Sequence, residues 1–169
     1  MRLRLYTVAV LFLISFAIIA STAFSTEKII DVHYTQLTPA AKKQVDCLAE
    51  NIYFEAGYEP DQGKVAVALV TLNRTQDPRF PKDICSVVKQ KVNSTCQFSW
   101  FCENKRKANT YVFEQSKKVA LMVYANYENM RDITKGALYY HADYVNPRWK
   151  LEKTTTIGRH IFYKERDGI

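Results

Sequence analysis

The stretch from Thr38 to Ala56 constrains the fold of this chain most, because after Pro39 it contains nothing that would interrupt a helix. Thr38 is of the residue type that caps helix N-termini, and Pro39 suits a first turn, where a missing N–H costs nothing. Gly57 supplies the stop. Val45, Leu48, Ile52 and Ala56 recur at spacings of three and four, which places them on one face of about five helical turns. Glu55 stands three residues after Ile52 and seven after Leu48, so its carboxyl projects from the edge of that apolar face. There it loses hydration and tends to keep its proton, since burial penalises the charged form. A Glu tuned upward in this way can protonate the leaving oxygen of a glycosidic bond near neutral pH. On spacing alone, a Glu at a helix edge is more often a snorkelling or salt-bridged structural residue.

Downstream, Pro60 opens a second helix whose run Val65-Ala66-Val67-Ala68-Leu69-Val70 is apolar all round, as in a central helix packed on most sides. Asp77-Pro78-Arg79-Phe80-Pro81 reads as a turn, followed by a short helix over Ile84 to Gln90. Lys91 to Glu103, with its dense Cys96-Gln97-Phe98-Ser99-Trp100-Phe101-Cys102 group, fits neither period and is expected to be a loop or short hairpin. From Ala108 to Met130, Phe113, Ala120, Val123, Tyr124 and Tyr127 trace another amphipathic helix. Ala137 to His141 and Thr154 to Tyr163 are rich in β-branched and aromatic residues and are expected to pair, with Gly158 as a bulge or bend. The pattern predicts an α+β domain, mostly helical with a small antiparallel sheet.

The N-terminus carries a different signal. Arg2 and Arg4 precede a nearly unbroken apolar run from Leu5 to Ala20, which loosens into Ser21, Thr22 and Ala23. That is the pattern of a secretory signal, and the run is also nearly long enough to serve as an uncleaved apolar membrane-anchor helix. Residues 1–24 are therefore expected to be a signal peptide or signal anchor, 25–37 a linker or docking strand, and 38–169 one catalytic-size domain. Either fate of the signal places the domain outside the cytoplasm, in periplasm or cell wall, tethered to the membrane if the segment is retained. The four cysteines allow three pairings; Cys96 and Cys102, close together in a loop-like segment, are the favoured pair, with free buried thiols as the alternative. No C-x-x-C or paired Cys/His spacing points to a metal, and no cofactor is expected. The formal charge of +7 suits attraction to anionic cell-wall polymers. The basic residues form no long run, which argues against nucleic acid as a partner.

Several segments together resemble a known family. They are Leu48-Ala49-Glu50-Asn51-Ile52-Tyr53-Phe54-Glu55-Ala56, Glu59-Pro60 with Gly63, Leu72-Asn73-Arg74, Pro78-Arg79-Phe80-Pro81, Cys96-Gln97-Phe98-Ser99, Tyr140-His141, Pro147 with Trp149, and Ile157-Gly158 with His160. Their collinear order over about residues 46 to 163 resembles the cell wall hydrolase family typified by the spore cortex-lytic enzyme SleB. The resemblance implies a lysozyme-like fold that acts on the glycan strands of peptidoglycan; the protein is expected to be a monomer. It implies that Glu55, within the Y-x-E-A match Tyr53-Phe54-Glu55-Ala56, is the catalytic acid. Gln97, Phe98 and Ser99 match the family's Q-F-S motif and are expected to line the glycan cleft. Tyr140, His141 and Trp149 offer aromatic faces and polar tips suited to sugar rings and are expected there too. Glu59 precedes Pro60, where a carboxylate is commonly a first-turn cap, so it is a weak candidate for a second catalytic group. A lone acid favours lytic transglycosylation over a water-using muramidase, and a non-catalytic peptidoglycan-binding module is the remaining class. The pattern departs at Gly57-Tyr58, where the family usually has Arg-Gly.

Overall fold

The computed structural model describes residues 29–166; the expected signal or anchor helix and its cleavage region lie outside the described residues. Among the described residues no helix is long and apolar enough to cross a membrane. The helix predicted from Thr38 is α1, Pro39–Ala56, with the Thr38 hydroxyl accepting from the Ala41 N–H at 3.2 Å. Its Val45, Leu48 and Ile52 are fully buried. α2, Asp61–Gln76, begins just after Pro60, and Ala66 through Leu72 are buried along it, as its all-round apolar pattern requires. α3 is the single turn Ile84–Val88, capped by the Asp83 carboxylate at the Ser86 N–H.

The segment from Lys91 resolves into more structure than a loop. β1, Lys91–Val92, pairs with β2, Thr95–Cys96, across a turn in which Asn93 and Ser94 both take positive φ. This is the backbone that two-residue hairpins with the sheet's own twist demand. α4, Ser99–Cys102, follows as one turn, and α5, Thr110–Asn126, is capped by Asn109. A 3-10 turn, Tyr127–Asn129, extends α5. All four cysteines are bonded: Cys96 to Cys102 across the hairpin and α4, and Cys47 to Cys85, tying α1 to α3.

The sheet corrects one expectation. Thr154 to Tyr163 is not one strand bent at Gly158; it is two. β4, Glu152–Ile157, turns through Gly158 and Arg159 into β5, His160–Lys164, and β5 lies between β4 and β3, Tyr139–Ala142. Gly158 takes φ 56, the left-handed region that favours glycine, so it reverses the chain where a bulge would merely have bent it. The irregularity in register lies instead between Lys153 and Thr155.

α1 packs against α2, α3 and α5 around Leu48, Ile52, Leu69, Val88 and Val123, with Trp100 of α4 closing one side. A smaller cluster of Ala66, Val70, Ala137 and Phe162 seals the sheet onto α2. Asn51, fully buried among these apolar side chains, is satisfied: its amide donates to Thr71 Oγ1 at 3.0 Å and accepts from the Trp100 indole at 3.3 Å. Ahead of α1, the expected linker or docking strand docks without pairing in a sheet. The Asn126 amide brackets Ile30, accepting from its N–H at 2.6 Å and donating to its carbonyl at 3.0 Å. The Tyr34 hydroxyl donates to Asp46 Oδ2 at 2.7 Å.

Candidate active site

Glu55 occupies the last turn of α1, where the helix face turns from core to surface. Opposite it stands β3. Register places Tyr140 beside Phe162 on the face that packs against α2, and from there the Tyr140 hydroxyl donates to Glu55 Oε2 at 3.1 Å. Its ring packs against His160 and Phe162 at 5.2 and 5.7 Å between centroids.

Two α2 residues set the height of β3. Asn73 donates to the Ala137 carbonyl at 3.1 Å and to Asp132 Oδ2 at 2.9 Å, while its own oxygen accepts from the Tyr127 hydroxyl at 2.9 Å. Arg74 is buried, donates from Nε to the Leu138 carbonyl at 2.8 Å, and is flanked by the rings of Phe80 and Phe98 at 5.2 and 5.3 Å. Both belong to the Leu72-Asn73-Arg74 stretch, to which spacing assigned no task. The available signal was two strong hydrogen-bonding side chains at the end of an otherwise apolar helix, since such groups are buried only with partners.

Burial is the main influence on Glu55 and raises its pKa above the ordinary glutamate value. The Tyr140 hydrogen bond opposes this most, then the charges of Arg74 and Lys105. Burial also pushes the Tyr140 hydroxyl well above its ordinary value, and the neighbouring Glu55 charge pushes it further the same way. Tyr140 therefore remains a neutral donor at any pH at which the protein is folded near neutrality. His160, in the same face of the sheet, is lowered by burial.

A cleft of about 380 Å³ opens beside Glu55, formed by Tyr53 through Glu59 on one side and by Lys105 and Arg106 on the other. Glu59 lies in this cleft, yet its carboxylate is engaged: Oε2 accepts from the Arg159 N–H at 3.0 Å, in the β4–β5 turn. Its carbonyl takes the Lys64 ammonium at 2.9 Å. Glu59 therefore clamps the hairpin tip to the α1–α2 junction; Pro60, not Glu59, is the N-cap of α2.

Of the other residues expected to meet substrate, only Tyr140 reaches Glu55. Phe98 is buried in the main core under Arg74, with Gln97 and Ser99 exposed on either side of it. His141 points from the opposite face of β3, bonded through Nε2 to the Tyr163 hydroxyl at 3.0 Å and stacked on that ring. Trp149 joins the same outer group, edge-on to His141 and Tyr163, with 44% of its surface exposed. None of Gln97, Phe98, Ser99, Tyr140, His141 and Trp149 lines the cleft of Tyr53 to Glu59, Lys105 and Arg106; Tyr140 meets Glu55 through its hydroxyl.

Comparison with known proteins agrees with this architecture. The Cell Wall Hydrolase family matches residues 58–163. The spore cortex-lytic enzyme of Bacillus subtilis (strain 168) is 29% identical over 129 residues, covering 72% of this chain and 38% of that protein. That of Halalkalibacterium halodurans is 29% identical over 125 residues, covering 70% and 34%. The chain thus spans well under half the length of these relatives. Among solved structures, the catalytic domain of the germination-specific lytic transglycosylase SleB from Bacillus anthracis aligns with a TM-score of 0.59 at 30% identity, over 73% of this chain and 95% of that one. The catalytic domain of the Bacillus cereus SleB protein aligns at 0.57 and 30%, over 73% and 91%. With the match extending from the α1–α2 junction through β5, this chain belongs to the cell wall hydrolase family.

Proposed function

We propose that this protein cleaves peptidoglycan glycan strands at the β-1,4 bond between N-acetylmuramic acid and N-acetylglucosamine, as a lytic transglycosylase with Glu55 as its only acid and base. Residues 38–169 form the catalytic unit, and the N-terminal segment delivers it to the cell wall side of the membrane. The observation that carries the reading is the pairing of a half-buried Glu55, bonded to Tyr140, with a Glu59 carboxylate already engaged by the Arg159 N–H. A cleft with one available carboxyl cannot run the two-carboxylate mechanisms of ordinary glycosidases.

The chemistry follows from one proton. Protonated Glu55 gives its hydrogen to the glycosidic oxygen as the bond from that oxygen to the muramic C1 breaks. The carboxylate left behind is stabilised by the Tyr140 hydroxyl and by the positive charges of Arg74 and Lys105. It then removes the proton from the C6 hydroxyl of the same muramic residue, whose oxygen bonds to C1 and closes a 1,6-anhydro ring. Glu55 ends protonated, and no water is consumed. Mass spectrometry of digested sacculi tests this directly, with anhydromuramic ends expected; reducing muramic ends alone would make the enzyme a muramidase. Solubilisation by Glu55→Gln at the wild-type rate would show that Glu55 is not the catalytic acid.

A further inference from the structure

We propose that Lys105 and Arg106 form a carboxylate-recognising wall of the cleft, selecting glycan strands whose muramic acid residues carry an anionic substituent beside the bond to be cut. This rests on the reading of Glu55 given above. The two cations face the end of α1 across the cleft, in the irregular segment between α4 and α5. That segment is held at both ends. On one side the Cys96–Cys102 disulfide precedes it, the Lys105 N–H donates to the Trp100 carbonyl at 3.3 Å, and Trp100 stacks on Phe54 at 4.5 Å between centroids. On the other, Lys107 pairs with Glu50 at 2.6 Å, and the Asn109 N–H donates to the Tyr53 hydroxyl at 3.1 Å.

The ties through Trp100, Lys107 and Asn109 end on α1 within a few residues of Glu55, at Phe54, Glu50 and Tyr53, so the backbone that carries the two cations is held beside the acid. Lys105 has one exposed partner, Glu103 at 2.7 Å, which a ligand carboxylate can replace. Arg106 forms no ion pair among the described residues and presents a planar fork suited to a carboxylate. The other acid in the cleft, Glu59, is turned to the Arg159 N–H. A strand of neutral N-acetylated sugars offers this wall acceptor oxygens but no negative charge. Peptidoglycan supplies that charge, either as the lactyl carboxylate of a muramic residue or as the carboxylates of its attached peptide. Occupancy also serves the acid, because an anion beside Lys105 cancels the positive charge that draws the proton from Glu55.

The test is binding to the full chain carrying Glu55→Gln, which holds ligand without cutting it, followed by tryptophan fluorescence. Four probes are titrated: peptide-free glycan oligomers with free lactyl carboxylates, the same oligomers with those groups converted to methylamides, peptide-bearing oligomers, and N-acetylglucosamine oligomers. Adding Lys105→Ala and Arg106→Ala is expected to weaken a carboxylate-bearing probe about tenfold while leaving the methylamide and N-acetylglucosamine probes unchanged. Loss confined to the peptide-bearing oligomers identifies the peptide as the source of the anion; loss already present in peptide-free strands identifies the lactyl group. Equal losses for charged and uncharged probes, or none for any, would overturn the proposal. Lys105→Gln with Arg106→Gln, checked for unchanged circular dichroism, must reproduce the selectivity. Wild-type activity on sacculi is measured separately, so an inactive Glu55 would fail there without altering the ratio between probes.

Discussion

The Tyr140 hydroxyl and the Glu55 carboxyl meet at 3.1 Å across 85 positions of sequence, joining the edge strand β3 to the last turn of α1. Two opposed influences converge on that contact. Burial favours the protonated form of Glu55 and raises its pKa, while the hydrogen bond from Tyr140 favours the carboxylate.

Tyr140→Phe separates these influences. Losing the donor removes the largest factor that lowers the Glu55 pKa, so the carboxyl should hold its proton to higher pH. The limb of the pH–rate profile on which activity falls as Glu55 ionises should move upward. The rate itself should drop by roughly tenfold, because the nascent carboxylate loses a preorganised donor. A profile of kcat/KM against pH on soluble glycan oligomers checks this, and a limb that stays in place or moves down would disconnect the two residues.

Glu55→Gln should abolish turnover, about 10²–10⁴-fold or more, and at the same time stabilise the fold. Because the folded-state pKa is raised, ionising Glu55 costs stability as pH climbs through that value, and glutamine is spared the cost. The Tm of Glu55→Gln should therefore exceed that of the wild type at neutral pH. The difference should shrink as pH falls and vanish below the ordinary glutamate pKa of 4.5. Calorimetry at two pH values, paired with turbidity loss of sacculi, measures both.

Local rules explain which parts of this architecture were legible in the sequence. Thr38-Pro39 and Gly57 mark α1 because capping and helix termination depend on neighbours in sequence. The phase of Glu55 relative to Leu48 and Ile52 put it at the edge of the buried face, whereas its choice as the acid came from the Y-x-E-A resemblance and not from spacing. Trp149 and His141 lie on the far side of the sheet from Glu55, because β-strand alternation sends His141 and Tyr140 to opposite faces; spacing cannot say which face meets α2. The engagement of Glu59 with Arg159 spans 100 positions and depends on the β4–β5 turn, which no local pattern around Glu59 reveals. The same holds for Cys47–Cys85, whose closeness follows only from α3 packing on α1.

The two disulfides should differ in what they contribute. Cys47–Cys85 closes a separation of 38 residues and Cys96–Cys102 one of 6, so chain-entropy estimates give about 4 and about 2 kcal/mol. Replacing each pair with alanines and measuring urea unfolding should show the larger loss for Cys47 and Cys85. Activity should follow the opposite order at a temperature where both variants are folded. Cys96–Cys102 borders the segment carrying Lys105 and Arg106, whereas Cys47 and Cys85 sit within the main core and away from the cleft.

Glu59 and Gly158 together decide whether the cleft has a second working carboxylate. The Glu59 carboxyl sits over the Gly158 backbone, so any side chain at 158 runs into it, and φ 56 adds a conformational cost. Gly158→Ala should destabilise the protein by about 1–3 kcal/mol and lower activity by displacing the hairpin tip from the α1–α2 junction. Glu59→Gln keeps an oxygen for the Arg159 N–H and removes only the charge. As a clamp, Glu59 tolerates that change within about threefold in kcat; as a general base for water, it would lose at least a hundredfold. Measured on the same glycan oligomers, the ratio of these two variants separates a residue that holds the hairpin from one that takes a proton, and near-wild-type turnover by Glu59→Gln is the expected result.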